Sequence, residues 1–540
     1  MNILVVIPAR GGSKGIPRKN IRAMNNHPLI YYVIHTAKMS KFKPDIVVST
    51  DDDEIITYSK KFGAMTIKRD SSLSLDETTL DPVVYDAYNL MKSKIQKKYD
   101  IVITMQPTSP ILKTISLDNA IEKLIKNELD TIISACDDTH LMWGKNMEFF
   151  PLYEKRLNRQ FLPKTYKETG GFLITKTDVI SQTNRIGKKL ELYLLDNGEE
   201  IDIDTYEDWA ICEYLMKRKR IMFIVTGNKQ DGLGHVNRAM LLANDILDHE
   251  IIFVVNYESE MAYDIVNSNN YKCIITDDFI ETINDYNPDM IINDILDTDK
   301  KYIQTLKKSN IKIVNFEDVG DGSLYADLVF NALYKRKESD PQHYYTGEKY
   351  FCLRNEFIYT DCKMIKKEVN NILVTFGGTD ENNLTKEMLE ILSQDDFLNI
   401  KIDVVLGIGY DRHESLKQFD NFKHIKIWTD VKNISDFIFN ADLIITASGR
   451  TVYEIASIGT PSIVLAQNER ELTHPFACEE NGFINLGLGI ILDKELIKLK
   501  LGQLISSFEL RTEMNRKMLS YDFKSNKKNV IKLIKELLEQ

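Results

Sequence analysis

Residues 3–20, ILVVIPARGGSKGIPRKN, run from a short apolar stretch through a glycine-rich turn into a cluster of bases. Ile3–Ile7 is apolar throughout and largely β-branched, which predicts a strand buried on both faces. That apolar core is too short for a secretory signal, has no positive segment ahead of it and runs straight into glycine. Gly11, Gly12 and Gly15 allow close backbone approach and turn N–H groups toward an anion, while Arg10, Lys14, Arg18 and Lys19 place four cations within ten residues. Backbone donors, point charges and guanidinium forks together suit a triphosphate. The pattern GxxxxGK[ST] is absent, so this is not a Walker loop, and a basic turn without a ligand is the plain alternative.

The strand–loop–helix alternation continues outward from there. DIVVST at 45–50, IVIT at 101–104 and TIIS at 131–134 alternate with helical stretches at 28–39 and 116–127, the signature of an α/β protein with a largely parallel sheet. A helical period through Tyr206, Trp209, Ala210 and Tyr214 ends in Lys217–Arg220, and a fresh strand, IMFIV, opens at 221. After KMIKKEVNN (363–371), ILVTF restarts the same logic at 372. The expected organisation is therefore a Rossmann-like domain at 1–219, then two Rossmann-type halves at 220–367 and 368–540 that enclose a cleft. Residues 526–540, with Val530, Ile531, Leu533, Ile534, Leu537 and Leu538 on one face, read as a closing surface helix.

Composition narrows the classes. The 540 residues include 69 Lys+Arg against 80 Asp+Glu, a net charge of −11, which argues against a general nucleic-acid binder. No apolar run reaches the roughly 18 residues of a membrane span. Six cysteines without CxxC spacing read as reduced thiols of a cytoplasmic protein, and nine histidines without HExxH spacing argue against zinc.

The opening string, VSTDDDEI at 48–55, the Arg69 turn before LDETT, MQPTSP at 105–110, NRQFLPKTYKETGGFLI at 158–174 and EEIDIDTYEDW at 199–209 occur in an order that resembles the acylneuraminate (CMP-sialic acid) cytidylyltransferases. The resemblance implies that Arg10, Lys14 and Lys19, with Gly11 and Gly12, hold the phosphates of CTP. Asn20, Arg69 and Gln106 would seat the nucleotide, and Asp202 and Asp204 would bind Mg²⁺. Residues i and i+2 of an extended segment face one way, and two hard carboxylates suit Mg²⁺. The implied reaction is attack of a sugar hydroxyl on the α-phosphate with release of pyrophosphate, Arg10 and Lys19 stabilising the developing charge. Arg159, Gln160 and the 166–171 segment, with Lys167, Thr169 and Gly170, would line the pocket for an acidic sugar. Lys167 stands where Arg is usual and Thr169 where Asn is usual. The resemblance also suggests a homodimer through this domain.

A second constellation begins after IMFIVTG. Gly232-Leu233-Gly234-His235 places His235 at a helix N-terminus, at the carboxyl end of a strand, where the positive helix end favours a neutral imidazole suited to a general base. A histidine merely capping the helix is the alternative. Gly377-Gly378-Thr379-Asp380 ends a strand and opens a helix, as does Ser448-Gly449-Arg450 ahead of Glu454. GLGHVNR, FGGTD, ASGRTVYE and LAQNERE together look like the UDP-sugar hydrolase family of pseudaminic acid biosynthesis, relatives of the GT-B glycosyltransferases. That implies His235 as base for a water attacking C1. It sets Gly234, Gly377–Thr379 and Ser448–Arg450 along the UDP-sugar, and Glu454 with Asn468 on the nucleoside or sugar. The family carries Asp-His-Tyr where this chain has Asp294-Ile295-Leu296; Asp294 reads either as a group orienting a catalytic residue or as a turn residue. Trp143 and Trp209 read as packing anchors; for His474, beside the QNERE segment, contact with the ligand is the lesser of its readings.

The combined expectation is a bifunctional enzyme of nonulosonic acid biosynthesis. One site would make the CMP derivative of a pseudaminic, legionaminic or sialic type acid, and the other would hydrolyse a UDP-diacetamido-trideoxy sugar. A true glycosyltransferase or a non-catalytic nucleotide-sugar module remains open for the second half.

Overall fold

Successive residues of the strand Ile3–Pro8 go to opposite faces of a sheet: Ile3, Val5 and Ile7 join one apolar cluster, Leu4 and Val6 another. The same division separates Ile221, Phe223 and Val225 from Met222 and Ile224, and Ile372 and Val374 from Leu373. A strand covered on both sides has no polar face, which is why each reads as an unbroken apolar run. Fully burying each Val, Leu or Ile side chain contributes about 1.5–3 kcal/mol.

The computed structural model describes every residue except 13, 14, 76, 197, 229–231, 247, 335–340, 430 and 492. It divides into Met1–Arg218 and Lys219–Gln540. In the first unit, seven strands lie in the order Leu190–Leu194, Thr131–Asp137, Tyr166–Lys176, Ile101–Thr104, Ile3–Pro8, Asp45–Thr50, Met65–Lys68, antiparallel only at Tyr166–Lys176. Strand order reverses between Ile3–Pro8 and Ile101–Thr104, so the loops after them, holding Arg10 and Gln106, flank the switch point where open α/β sheets take ligands.

The second unit contains two parallel sheets. One orders Lys272–Ile275, Glu250–Val255, Arg220–Val225, Met290–Asp294, Lys312–Phe316, Leu328–Asn331, Tyr344–Thr346; the other Ile425–Trp428, Lys401–Val405, Asn371–Thr375, Leu443–Ala447, Ser462–Ala466, Phe483–Leu488. Each thus carries the doubly wound order with its own switch point, between Arg220–Val225 and Met290–Asp294 in the first and between Asn371–Thr375 and Leu443–Ala447 in the second.

Two expectations need correction. The helix Asn526–Glu539 does not stay with the half expected at 368–540: Val530, Ile534, Leu537 and Leu538 are buried in the cluster of Ile221 and Phe253, on the other sheet. Its apolar stripe is long enough to need a sheet face, and the first sheet offers one. The two chain crossings between the halves lie side by side, with Asn526 Nδ2 donating to Glu348 O (2.6 Å) and Lys527 Nζ to Asn355 Oδ1 (3.0 Å). Nor does the 377–380 loop open a helix directly. Asp380, at φ +45°, accepts from the N–H groups of Leu384 and Thr385, and the helix runs Leu384–Leu392. Among the described residues no helix is long and apolar enough to cross a membrane.

Candidate active sites

In the first unit Arg10, Gly12, Lys19, Asn20, Arg69, Gln106, Asp202 and Asp204 line one cleft of about 410 Å³ at the switch point. Each is anchored. Arg69 is buried, its Nη2 donating to Ser49 O (2.7 Å) and its Nε to Ser49 Oγ (3.2 Å). Burial pulls its guanidinium below the usual range, Asp51 opposing and Arg10 adding like-charge repulsion. Asn20 Nδ2 donates to Arg10 O (2.9 Å). Lys19 Nζ bonds Ile203 O and lies 3.3 Å from Asp204 Oδ1, so loop and aspartate segment are tied together. Asp202 Oδ1 is buried and has no hydrogen-bond partner. A Cβ at Gly15 would stand 2.3 Å from Asp204 O, so only glycine permits this approach.

Parts of the sequence reading change here. Arg18 faces away from a phosphate role: Nη1 pairs with Asp52 (2.6 Å) and Nη2 with Glu54, the acidic start of the helix Asp53–Lys61. The Gly11 N–H is taken by Asp51 Oδ1 (2.9 Å) rather than turned to an anion. Lys14 lies outside the described residues. Of the sugar-pocket candidates, Gly170 abuts Asp202, its carbonyl accepting from Gln106 N–H (3.1 Å). Thr169 is buried with its hydroxyl 2.7 Å from Ser134 Oγ. Arg159, Gln160 and Lys167 are exposed and lie outside the lining of this cleft, which leaves their expected place in a sugar pocket as an expectation. In the same unit the hairpin of Trp143–Lys145 and Phe149–Pro151 presents Trp143, Met147, Phe149, Phe150 and Leu152 to solvent; Trp143 is therefore no core anchor.

In the second unit the helix Gly234–Asp245 and the strand Met290–Asp294 bring His235 and Asp294 together at the first switch point. His235 Nδ1 is 2.8 Å from Asp294 Oδ1, so Asp294 orients the imidazole and is not a surface turn residue; it is fully buried. Arg238, one turn after His235, donates from Nε to Asp294 Oδ2 (2.6 Å) and from Nη2 to Oδ1. Arg238 also pairs with Glu317, which accepts from Arg450 Nη1 at 2.9 Å. Burial works against ionising Asp294 and Glu317, yet the guanidiniums (Arg238 for both, Arg450 also for Glu317) hold both carboxyls below the usual range. Arg470 joins from the other half, donating to Tyr334 Oη (2.7 Å) and Glu317 O (3.0 Å).

The remaining candidates divide. A Cβ on Gly234 would lie 3.4 Å from Arg450 Cδ, and one on Gly378 3.7 Å from Gly232 Cα, so the glycine loops of the two halves face each other. Gly377 has φ +78°, Gly409 N–H donates to Gly378 O (2.9 Å), and Thr379 is half-buried beside them. Ser448 and Gly449 lie against the Glu471 carboxylate, which accepts from Gln467 N–H (2.7 Å). Glu454 is buried and bound to Arg354 Nε (2.7 Å), and Asn468 caps the helix Glu469–Leu472. His474 is buried with neither ring nitrogen partnered, and burial pulls it down to about 4. The sequence reading missed Arg238, Glu317, Arg354 and Arg470; an Arg three residues after His235 shares its helix face, which was the available signal for the first of them.

Comparison with known proteins bears first on the unit Met1–Arg218. Residues 4–149 match the model of a family described as Cytidylyltransferase. The chain is 34% identical over 274 residues to an uncharacterized protein of Methanocaldococcus jannaschii (46% of this chain), spanning about half, 56%, of that protein's length. It is 33% identical over 226 residues to a pseudaminic acid cytidylyltransferase of Campylobacter jejuni, covering 40% of this chain and 97% of that one. Over 486 residues it is 24% identical to a Helicobacter pylori protein named pseudaminic acid cytidylyltransferase and UDP-2,4-diacetamido-2,4,6-trideoxy-beta-L-altropyranose hydrolase, covering 86% of this chain and 88% of that one. With 97% of the length of the Campylobacter jejuni relative covered at 33% identity, and residues 4–149 matching the family model, this chain is an enzyme belonging to the cytidylyltransferase family.

Proposed function

We propose that the first unit transfers CMP from CTP to a nonulosonic acid, and that the second releases UDP from a UDP-diacetamido-trideoxy sugar by hydrolysis. The convergence of Arg10, Lys19, Asn20, Arg69, Gln106, Asp202 and Asp204 on one cleft carries the first half of this reading. Arg10 and Lys19 offset phosphate charge while a hydroxyl of the acid sugar attacks the α-phosphorus; the bond to the β-phosphate oxygen breaks and pyrophosphate leaves. The buried, unpartnered Asp202 Oδ1 fits a cation, and Asp202 with Asp204 would hold Mg²⁺, which supplies charge neutralisation to the phosphates. The exposed apolar hairpin at 143–152 supports a homodimer through this unit.

In the second unit the carrying observation is the His235–Asp294 contact. With Nδ1–H held by Asp294, Nε2 takes the proton of a water that attacks the anomeric carbon, and UDP departs with the glycosidic electrons. Arg450, at the start of the helix Thr451–Ile458, is the near cation for the diphosphate.

UDP release from UDP-2,4-diacetamido-2,4,6-trideoxy-altrose, without acceptor and with UDP-GlcNAc as control, tests the second activity. Release from the first sugar alone, abolished by His235→Ala while CMP transfer persists, is the expected result. Release that survives His235→Ala overturns the mechanism. No release until an acceptor is added makes this unit a glycosyltransferase, with exposed Leu296, in the place of a family tyrosine, the first residue to examine.

A further inference from the structure

The MQPTSP segment contributes more than Gln106 to the first site. Its turn is stitched to two neighbours: Gln106 N–H donates to Gly170 O (3.1 Å), and Ile203 N–H donates to Thr108 O (2.9 Å). This brings Ser109, Gly170 and Asp202 together. Ser109 is only 2% exposed, and its Oγ has no hydrogen-bond partner. The Cβ that Gly170 lacks would stand 3.0 Å from Ser109 Oγ and 3.1 Å from Asp202 Oδ1, the other unpartnered oxygen. Two buried oxygens, one of them on a carboxylate, thus flank a single cradle kept open by the missing side chain.

We propose that the Ser109 hydroxyl is, with Asp202, a ligand-side oxygen for the divalent cation of the cytidylyltransferase site, and that Gly170 is glycine because a methyl would occupy the same space. The proposal rests on the cation reading of Asp202 and Asp204 and adds a neutral donor to it. A buried hydroxyl without a partner is unfavourable in a protein that binds nothing there, because its desolvation goes uncompensated. An all-oxygen donor set of a carboxylate and a hydroxyl matches a hard cation such as Mg²⁺ or Mn²⁺ and gives little to a soft one. Ser109 directly follows Pro107 and Thr108, and these two residues line the cleft together with Asp202, so the cradle adjoins the proposed nucleotide site.

The test is Mn²⁺ binding to the full chain, followed through the free-ion electron paramagnetic resonance signal, with Cd²⁺ as competitor. Ser109→Ala should weaken Mn²⁺ binding about tenfold, the loss of one oxygen donor, with a melting temperature equal to or above that of the parent protein. Ser109→Cys should weaken Mn²⁺ similarly and let Cd²⁺ displace it at a concentration at least about tenfold lower than in the parent protein, since a thiolate prefers the softer ion. Gly170→Ala should lose Mn²⁺ binding through the methyl alone. Unchanged Mn²⁺ affinity in Ser109→Ala, with Asp202→Asn still losing it, overturns the role of Ser109 and leaves the aspartate site standing, the cradle then holding water. No Mn²⁺ binding by the parent protein overturns the cation reading itself. A Ser109→Ala protein that melts lower and binds Mn²⁺ normally makes the hydroxyl structural and also overturns the proposal.

Discussion

Arg450 Nη1 donates to Glu317 Oε1 across 2.9 Å, joining a loop of one Rossmann half to the start of a helix in the other. Glu317 also takes Arg238, and Arg238 holds Asp294, so the group that orients His235 and the helix start nearest the expected diphosphate share one buried charge network. Glu317→Gln leaves two buried guanidiniums with Asp294 as their nearest counter-ion. Removing one partner of a buried ion pair costs roughly 3–5 kcal/mol. The expected result is a urea transition of the second unit at lower concentration, with CMP transfer retained below it; a shift worth less than about 1 kcal/mol would mean that water already reaches the pair.

His474 gives the second unit an acid sensitivity. Burial holds the folded imidazole at about 4, against an ordinary value near 6.5. Between those values the unfolded chain binds the proton and the folded chain does not, so stability rises with pH across the window and is lost as pH falls from about 6.5 toward 4. The full difference is on the order of 3 kcal/mol. Denaturation at pH 7 and pH 4.5 should show His474→Phe losing less of its stability on acidification than the parent protein; equal losses would assign the effect to other groups.

Asp202→Asn should reduce pyrophosphate release by at least about 100-fold, comparable to losing an electrostatic group at a transition state, and chelation by EDTA should do the same to the parent protein. UDP release should be untouched by either treatment. Parallel loss of both activities would mean that the substitution unfolds the chain.

Arg18 and Lys19 are neighbours with different partners. Arg18→Ala removes pairs with Asp52 and Glu54 on an exposed surface and should change the KM for CTP less than about threefold. Lys19→Ala takes a cation out of the cleft and should lower kcat/KM by about 10–100-fold. Equal effects at the two positions would return Arg18 to the phosphate site.

The apolar hairpin predicts an assembly. Replacing Trp143 and Phe149 together by Ser should convert a dimer to a monomer in sedimentation, with the first unit still folded. A parent protein that sediments as a monomer would remove the basis for the dimer.

The strands were legible because burial on both faces writes the same apolar signal at Ile3–Ile7, Ile221–Val225 and Ile372–Val374. Arg10, Lys19, Asp202 and Asp204, which line one cleft, were legible as members of two short motifs, each of which keeps its residues together in sequence as well as in space. What escaped depends on contacts between distant segments. Glu317 follows an ordinary strand, and only the fold brings Arg450 to it from 133 positions away. Arg18 resembled its neighbours in the basic loop until the acidic start of a helix 34 residues on claimed it. The path of Asn526–Glu539 could not be read either, since an apolar stripe says that a helix needs a sheet, not which one.

That returning helix has a mechanical consequence. The polypeptide passes between the two Rossmann halves twice, and the passages are bonded to each other through Asn526–Glu348 and Lys527–Asn355. Two passages bonded to each other hold the halves at two points rather than one, and so restrain their relative rotation more than a single linker would. Cutting the chain after residue 520 would do two things at once: it would uncover the sheet face at Ile221 and Phe253 and leave the halves joined by a single tether.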